Sequence, residues 1–189
     1  SGKGGALYQN TSSIISIYEC NFIGNDAKNN GGAVTLQKHQ KCQIENCIFI
    51  RNRSENGSGA IQIETNFQNS IKNNINIIIT KCIFDDNQGK FANGIYVTNS
   101  PNEQIFISNC TFNDCGKEGY IVSLQSNVDS IIIENCTFDF LKDLKSLKVI
   151  GIHSSTDCLS LRGNTFHNFQ NAILHMICLL NQRNRFELI

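Results

Sequence analysis

Proline occurs once in the 189 residues and tryptophan not at all, and neither sign of charge is in excess: sixteen Lys and Arg balance sixteen Asp and Glu. Zero net charge argues against a nucleic-acid binder that works through a basic field. Long apolar runs are missing. The longest, Ala172 to Leu180, is broken by His175 and is too short to span a bilayer as a helix. None of the nine cysteines lies in a Cys-x-x-Cys, so zinc-ribbon and thioredoxin-like readings lack their basic unit. P-loop, Gly-x-Ser-x-Gly and Gly-x-Gly-x-x-Gly contexts are absent as well. Helical periodicity is scarce. Only Phe138 to Lys148, with Leu141, Leu144 and Leu147, predicts a turn or two of helix. A chain of this length makes one domain, 1–189, with a sizeable core.

What the chain has in quantity is isoleucine (27) and asparagine (26). Ile favours strands, and Asn favours turns and tolerates left-handed backbone. Many short strands joined by many tight corners are the implication. The corners recur. Cys-x-Phe stands at Cys20/Phe22, Cys47/Phe49, Cys82/Phe84, Cys110/Phe112 and Cys136/Phe138, and Asn164/Phe166 is a copy without the cysteine. Successive copies are 27, 35, 28, 26 and 28 residues apart. Five and three residues before each come Ile15/Ile17, Cys42/Ile44, Ile77/Ile79, Ile105/Ile107, Ile131/Ile133 and Leu159/Leu161. Strict alternation of apolar residues marks a strand with one buried face. The residue just before each Cys (Glu19, Asn46, Lys81, Asn109, Asn135, then Gly163) sits where a corner of positive φ is expected.

A third element follows each Phe. It reads Gly31-Gly32-Ala33-Val34, Ser58-Gly59-Ala60-Ile61 and, more loosely, Asn93-Gly94-Ile95, Ile121-Val122 and Val149-Ile150. Gly4-Gly5-Ala6-Leu7 opens the series. Three strands and their corners in about 27 residues predict an all-β parallel β-helix of about six to seven coils. The long step holds an insertion, 65–74, read as a surface loop. Residues 175–189 read as a last strand and an irregular cap. The series starts inside a coil, so the chain is expected to be part of a longer array or to have its start covered by another segment.

These motifs resemble the paired G-G-A-(I/L/V) and F-x-x-N repeats of the polymorphic outer membrane proteins, bacterial adhesins, and of surface proteins of eukaryotic microbes. Phe22-Ile23-Gly24-Asn25, Phe49-Ile50-Arg51-Asn52 and Phe84-Asp85-Asp86-Asn87 carry the second motif. After Asn113 it weakens, with Cys115, Leu141 and Phe169 at the Asn positions. The resemblance implies a pectate-lyase-like right-handed β-helix and an extracellular or cell-surface module that is not an enzyme. Its partners would be a protein or glycan surface, or neighbouring coils of a longer chain.

Three sets of residues are candidates for chemistry. The ladder Cys20, Cys47, Cys82, Cys110 and Cys136 is read as buried free thiols; neighbouring-rung disulfides and metal binding are the alternatives, the latter weakened because no His or acid repeats beside them. Cys158 is expected to face outward as a reactive thiol. Asp85, Asp86, Asp114 and Asp139 follow the Phe positions, as does His167, so stacking would gather carboxylates near one corner. Exposed corner residues are the default reading. The alternatives are a Ca²⁺ site and the acids of a carbohydrate-active enzyme, either a polysaccharide lyase or a glycosidase. Only Asp85-Asp86 resembles a motif of the fold's glycosidases, which also need a Gly-His-Gly that is absent here. No cofactor is otherwise implied. Finally, Ile78, Phe106 and Ile132 fall on outward positions of successive coils, an apolar stripe that binds a partner or is covered by the 65–74 loop. A purely structural role in a larger assembly is the third functional reading. Of five Asn-x-Ser/Thr sequons, Asn10, Asn52 and Asn56 are the candidate glycan acceptors, while Asn109 and Asn135 are read as corner residues.

Overall fold

A computed structural model describes residues 2, 4–11, 13–38, 41–64, 75–98, 103–115, 118–125, 128–139, 146–154, 156–167, 173–178 and 185–188. The 65–74 insertion lies outside them. The alternating Ile/Leu strands Ile14–Tyr18, Lys41–Glu45, Ile75–Thr80, Glu103–Ser108, Val128–Glu134, Thr156–Arg162 and Arg185–Leu188 form one sheet in chain order. We call it the isoleucine sheet. The phenylalanine sheet holds Asn21–Ile23, Ile48–Ile50, Ile83–Asp85, Thr111–Asn113, Thr137–Asp139 and Thr165–His167. The third, glycine-led sheet runs from Leu7–Asn10 through Val34–Gln37, Ile61–Glu64, Ala92–Thr98, Glu118–Gln125 and Ser146–Ser154 to Ile173–Cys178. All pairings are parallel, and each strand pairs with its equivalent one repeat away. This is a parallel β-helix. Early coils add a fourth short strand beyond the three expected: Asp26–Asn29, Arg53–Asn56 and Gln88–Gly89.

The repeat register explains the core. Ile15 pairs with Cys42, Cys42 with Ile77, Ile77 with Ile105, Ile105 with Ile131 and Ile131 with Leu159. From Cys42 onward every member of that column is at most 1% exposed. Phe22, Phe49, Phe84, Phe112, Phe138 and Phe166 stack ring on ring, with centroids 4.7–5.1 Å apart and planes within 8°. Parallel aromatic pairs add about 0.5–1.5 kcal/mol each beyond area burial.

Two corners per coil need left-handed backbone. Glu19, Asn46, Lys81, Asn109, Asn135 and Gly163 have φ between 52° and 60°. Gly24, Arg51, Asp86 and Asp114 form the second column, with φ between 44° and 64°. After each corner the next side chain turns inward beneath main-chain groups of the preceding coil, which must be satisfied. At the second corner Asn does this. Asn52 Oδ1 accepts from the Asn25 main-chain N–H (3.0 Å) and its Nδ2 donates to the Phe22 carbonyl (2.9 Å); Asn87 repeats both contacts against Asn52 and Phe49. At the first corner cysteine does it: Cys47 Sγ accepts from Cys20 N–H (3.5 Å), and its single proton has the Glu45 carbonyl (3.2 Å) or the Ile17 carbonyl (3.6 Å) as acceptor.

The two ladders exchange residues. Cys115 ends the Asn column and donates to the Phe84 carbonyl (3.5 Å). Asn164 ends the Cys column, accepting from Cys136 N–H (2.9 Å) and donating to the Ile133 carbonyl (2.8 Å). The rule at both corners is therefore a small inward side chain with both an acceptor and a donor.

The Gly-Gly-Ala motif has a steric cause. A Cβ on Gly32 would run into the carbonyl oxygens of Gly59 and Arg53 on the next coil. Successive coils approach backbone to backbone there.

Three expectations change. Phe138 and Lys148, read as bounds of a helical stretch, lie in the strands Thr137–Asp139 and Ser146–Ser154, because ring stacking and main-chain pairing with equivalents outweigh a weak local period. Residues 140–145 lie outside the described set. Arg185–Leu188 continues the isoleucine sheet by pairing with Cys158–Leu161, a regular strand where the sequence pointed to an irregular cap. Asn52 cannot accept a glycan in the folded chain, since it is fully buried and its Nδ2 is engaged.

Two outcomes are expected by chemical denaturation. Gly32→Ala destabilises by about 3 kcal/mol, the upper end of the overpacking range, because the contacts are with rigid backbone. Cys115→Asn stays within about 1 kcal/mol of wild type at pH 7, because it recreates the Asn52 and Asn87 contacts. A neutral Gly32→Ala, or a Cys115→Asn that unfolds, contradicts the packing described.

Candidate functional site

The acids fall into two adjacent columns instead of one cluster. Asp85, Asn113, Asp139 and His167 are successive outward rungs of the phenylalanine sheet. Asp86 and Asp114 occupy the second corner, below Arg51, where their short polar side chains tolerate positive φ. All four carboxylates are half-buried. Asp86 accepts from Gln88 Nε2 at 3.3 Å. Among the described residues, no group of three or more His, Cys, Asp or Glu is arranged to hold a metal ion. The column interposes Asn113 between Asp85 and Asp139, and the left-handed corner residues have a backbone reason to be Asp.

Ile78, Phe106 and Ile132 do stack, on consecutive rungs of the isoleucine sheet's outer face. Gln43 precedes them and Ser160 follows. Each of the three is half-buried, as are Gln43 and Ser160 in the same column. A rung close above and another close below shields a side chain in this way.

A second apolar area emerges only from the fold. Ile48 and Ile83 pair in one outward column of the phenylalanine sheet, and Ile23 and Ile50 in the other. Ile23 is 53% and Ile83 41% exposed, more than any member of the first stripe. The signal was present in the residues flanking each Phe, which alternate outward once Phe is known to point in.

On the glycine-led sheet, Tyr120 leans across coils. Its ring fills the place a Gly151 side chain would take, its hydroxyl meets His153 Nε2 at 3.0 Å, and Lys148 Nζ lies 5.2 Å from the ring centre. The outward residues Thr35, Gln62 and Ser123 of this sheet are themselves buried. Alternation alone gave no sign of that.

None of the eight described cysteines is in a disulfide. Cys42, Cys47, Cys82, Cys110, Cys115 and Cys136 are buried; Cys20, at the first coil, is half-buried. Cys158 faces outward opposite Ser130 and Arg185 and is also half-buried. Cys178 lies in a strand, but its side chain is outside the described set. Burial pushes Cys47 up to about 11 and Cys115 to about 12, from an ordinary 9.0. Neighbouring thiols, then burial, push Cys110 well above the thiol range.

A raised thiol pKa means that the folded chain keeps its proton after the unfolded chain has lost it. Stability is then full below pH 9 and falls as pH rises toward the folded values of about 11 and 12. Each group contributes about 1.4 kcal/mol per pH unit. Urea denaturation of wild type and Cys115→Asn between pH 9 and 10.5 reads this directly: the variant's slope should be shallower by about that amount. Equal slopes would remove Cys115 from the account.

Among curated proteins and among solved structures, the comparison returns no match. No helix among the described residues is long and apolar enough to cross a membrane. The family described as right handed beta helix region matches residues 4–184, the span that holds the Cys-x-Phe repeats. The parallel coils agree with that description, and the chain belongs to this family.

Proposed function

We propose that the chain is a non-enzymatic repeat module of an extracellular or cell-surface protein, and that its outer sheet faces bind a protein partner in adhesion or assembly. The observation that carries this reading is the in-register stripe Ile78, Phe106 and Ile132. Three large apolar side chains on consecutive outward rungs have no role in the core, and an aromatic residue at the centre of such a stripe is a typical anchor. The exposed Ile23 and Ile83, with Ile48 and Ile50, widen the apolar surface across the neighbouring sheet. The likeness to the repeats of the polymorphic outer membrane proteins supports a place at the cell surface.

The test is adhesion of beads coated with the purified chain to immobilised extracellular-matrix proteins and to a glycan panel. Phe106→Ser should weaken protein binding at least tenfold and leave the melting temperature nearly unchanged, since the side chain is outside the core. Retained binding would sink the stripe as the contact. Binding confined to glycans, or cleavage of a polysaccharide that Asp85→Asn abolishes, would favour the carbohydrate-active alternative that Arg51 beside the Asp86–Asp114 column keeps open.

A further inference from the structure

The outer face of the isoleucine sheet is regular enough to meet itself. Its pairings run from Ile14 to Arg162 without a register shift, whereas the glycine-led sheet is interrupted at Ala92/Ile95 and at Lys148/Gly151. Three outward columns stand on it. The middle one is the stripe of Ile78, Phe106 and Ile132, continued by Ser16 and Gln43 before it and Ser160 after it. One flanking column begins with Ile14 and Lys41, the other with Tyr18 and Glu45. Ile14 (68%) and Tyr18 (46%) are the most exposed large apolar residues described on this face.

A second copy turned through half a revolution about the stripe, its solenoid axis parallel to the first, lays this face on its equivalent. The middle column then meets its own residues rung by rung, and the flanking columns change places. Ile14 comes opposite Tyr18 of the second copy, and Lys41 opposite its Glu45, each contact occurring twice by symmetry. Glu45 gives Oε1 to Lys81 within its own chain, which leaves the other oxygen for Lys41. Glu134 and Arg162 fall opposite Ser130 and Cys158, so like charges are not opposed. With the axes antiparallel, Ile14 would instead face the last-coil Arg185, and the exposed apolar pair would be separated. Six strands at about 4.8 Å and five residues at about 3.3 Å give a footprint of about 480 Å². Two copies then bury about 1,000 Å², the size at which specific interfaces begin.

We propose that the partner of the stripe is a second copy of this chain, in a closed two-fold dimer with the isoleucine sheets face to face and the axes parallel. This rests on the reading of the stripe as a protein contact and names what it contacts. Phe106 is the central anchor, Ile78 and Ile132 extend it, and the Lys41–Glu45 contacts fix the direction. Because the contact is isologous, it is used up in one pair and does not propagate. The phenylalanine sheets stay outside, so each dimer presents the exposed Ile23 and Ile83 area twice.

Sedimentation equilibrium of the reduced full chain across the micromolar range reads the association. A dimer and no larger species is expected. Phe106→Ser should raise the dissociation constant at least about tenfold with little change in melting temperature. If that variant melts early, Ile132→Ser takes its place. Charge reversal reads the orientation: Lys41→Glu and Glu45→Lys should each weaken self-association about tenfold. An equimolar mixture of the two should pair as tightly as wild type, because opposite charges then meet at both contacts. Antiparallel axes give no such rescue. The proposal is overturned by a chain that stays monomeric across that range, whether the 65–74 segment or another protein takes the stripe. A dimer indifferent to the stripe substitutions, or a mixture pairing no better than its components, overturns it too. A monomer whose Phe106→Ser variant loses binding to immobilised protein overturns the pairing alone and keeps the stripe as a contact for a different protein.

Discussion

Main-chain hydrogen bonds between parallel strands hold successive coils at one separation, and the rest of the molecule obeys it. With a translation of about 4.8 Å and no rotation large enough to break register, each side chain lies against its own equivalent. Phe therefore meets Phe, and Ile meets Ile. Polar residues face the same condition. An inward Asn satisfies main-chain groups only because the coil before it offers an N–H and a carbonyl at the same relative place. Gly5, Gly32, Gly57 and Gly59 fall where that separation leaves no room for a Cβ.

Much of this was legible in the residues. Register pairs are the ones the Cys-x-Phe spacing demands, and all six residues before the Cys positions adopt positive φ, Lys81 and Glu19 included. The repeat itself carried that information, since a corner conserved across coils must share one backbone whatever its side chain. Less legible was anything decided by contacts between unlike residues. Tyr120 leaning over Gly151 depends on two positions in different coils. The buried state of Thr35, Gln62 and Ser123 depends on what covers that sheet. The acids show the same limit: a pattern after each Phe placed them at one edge, yet the break between strand and corner divides them into two columns.

The interchange of Cys115 and Asn164 between ladders shows what selects the residue at each corner. Size and hydrogen-bonding capacity matter there, and sulfur is one way to meet both. Thiol and carboxamide differ, however, in what else they can do. An Asn column is saturated by its own amides. A thiol rung keeps a titratable proton that a carboxamide lacks, so a column built of cysteine makes stability depend on alkaline pH.

Because both faces of a coil present the same ladders, the molecule behaves as a ruler graduated in whole turns. Removing or adding one repeat of about 27 residues shortens or lengthens the stack by one rung and leaves each corner with a suitable neighbour. Distance along the axis thus changes in fixed increments, whereas distance around the coil stays constant. A surface built this way can be matched in length to a target without altering the spacing of the groups that touch it.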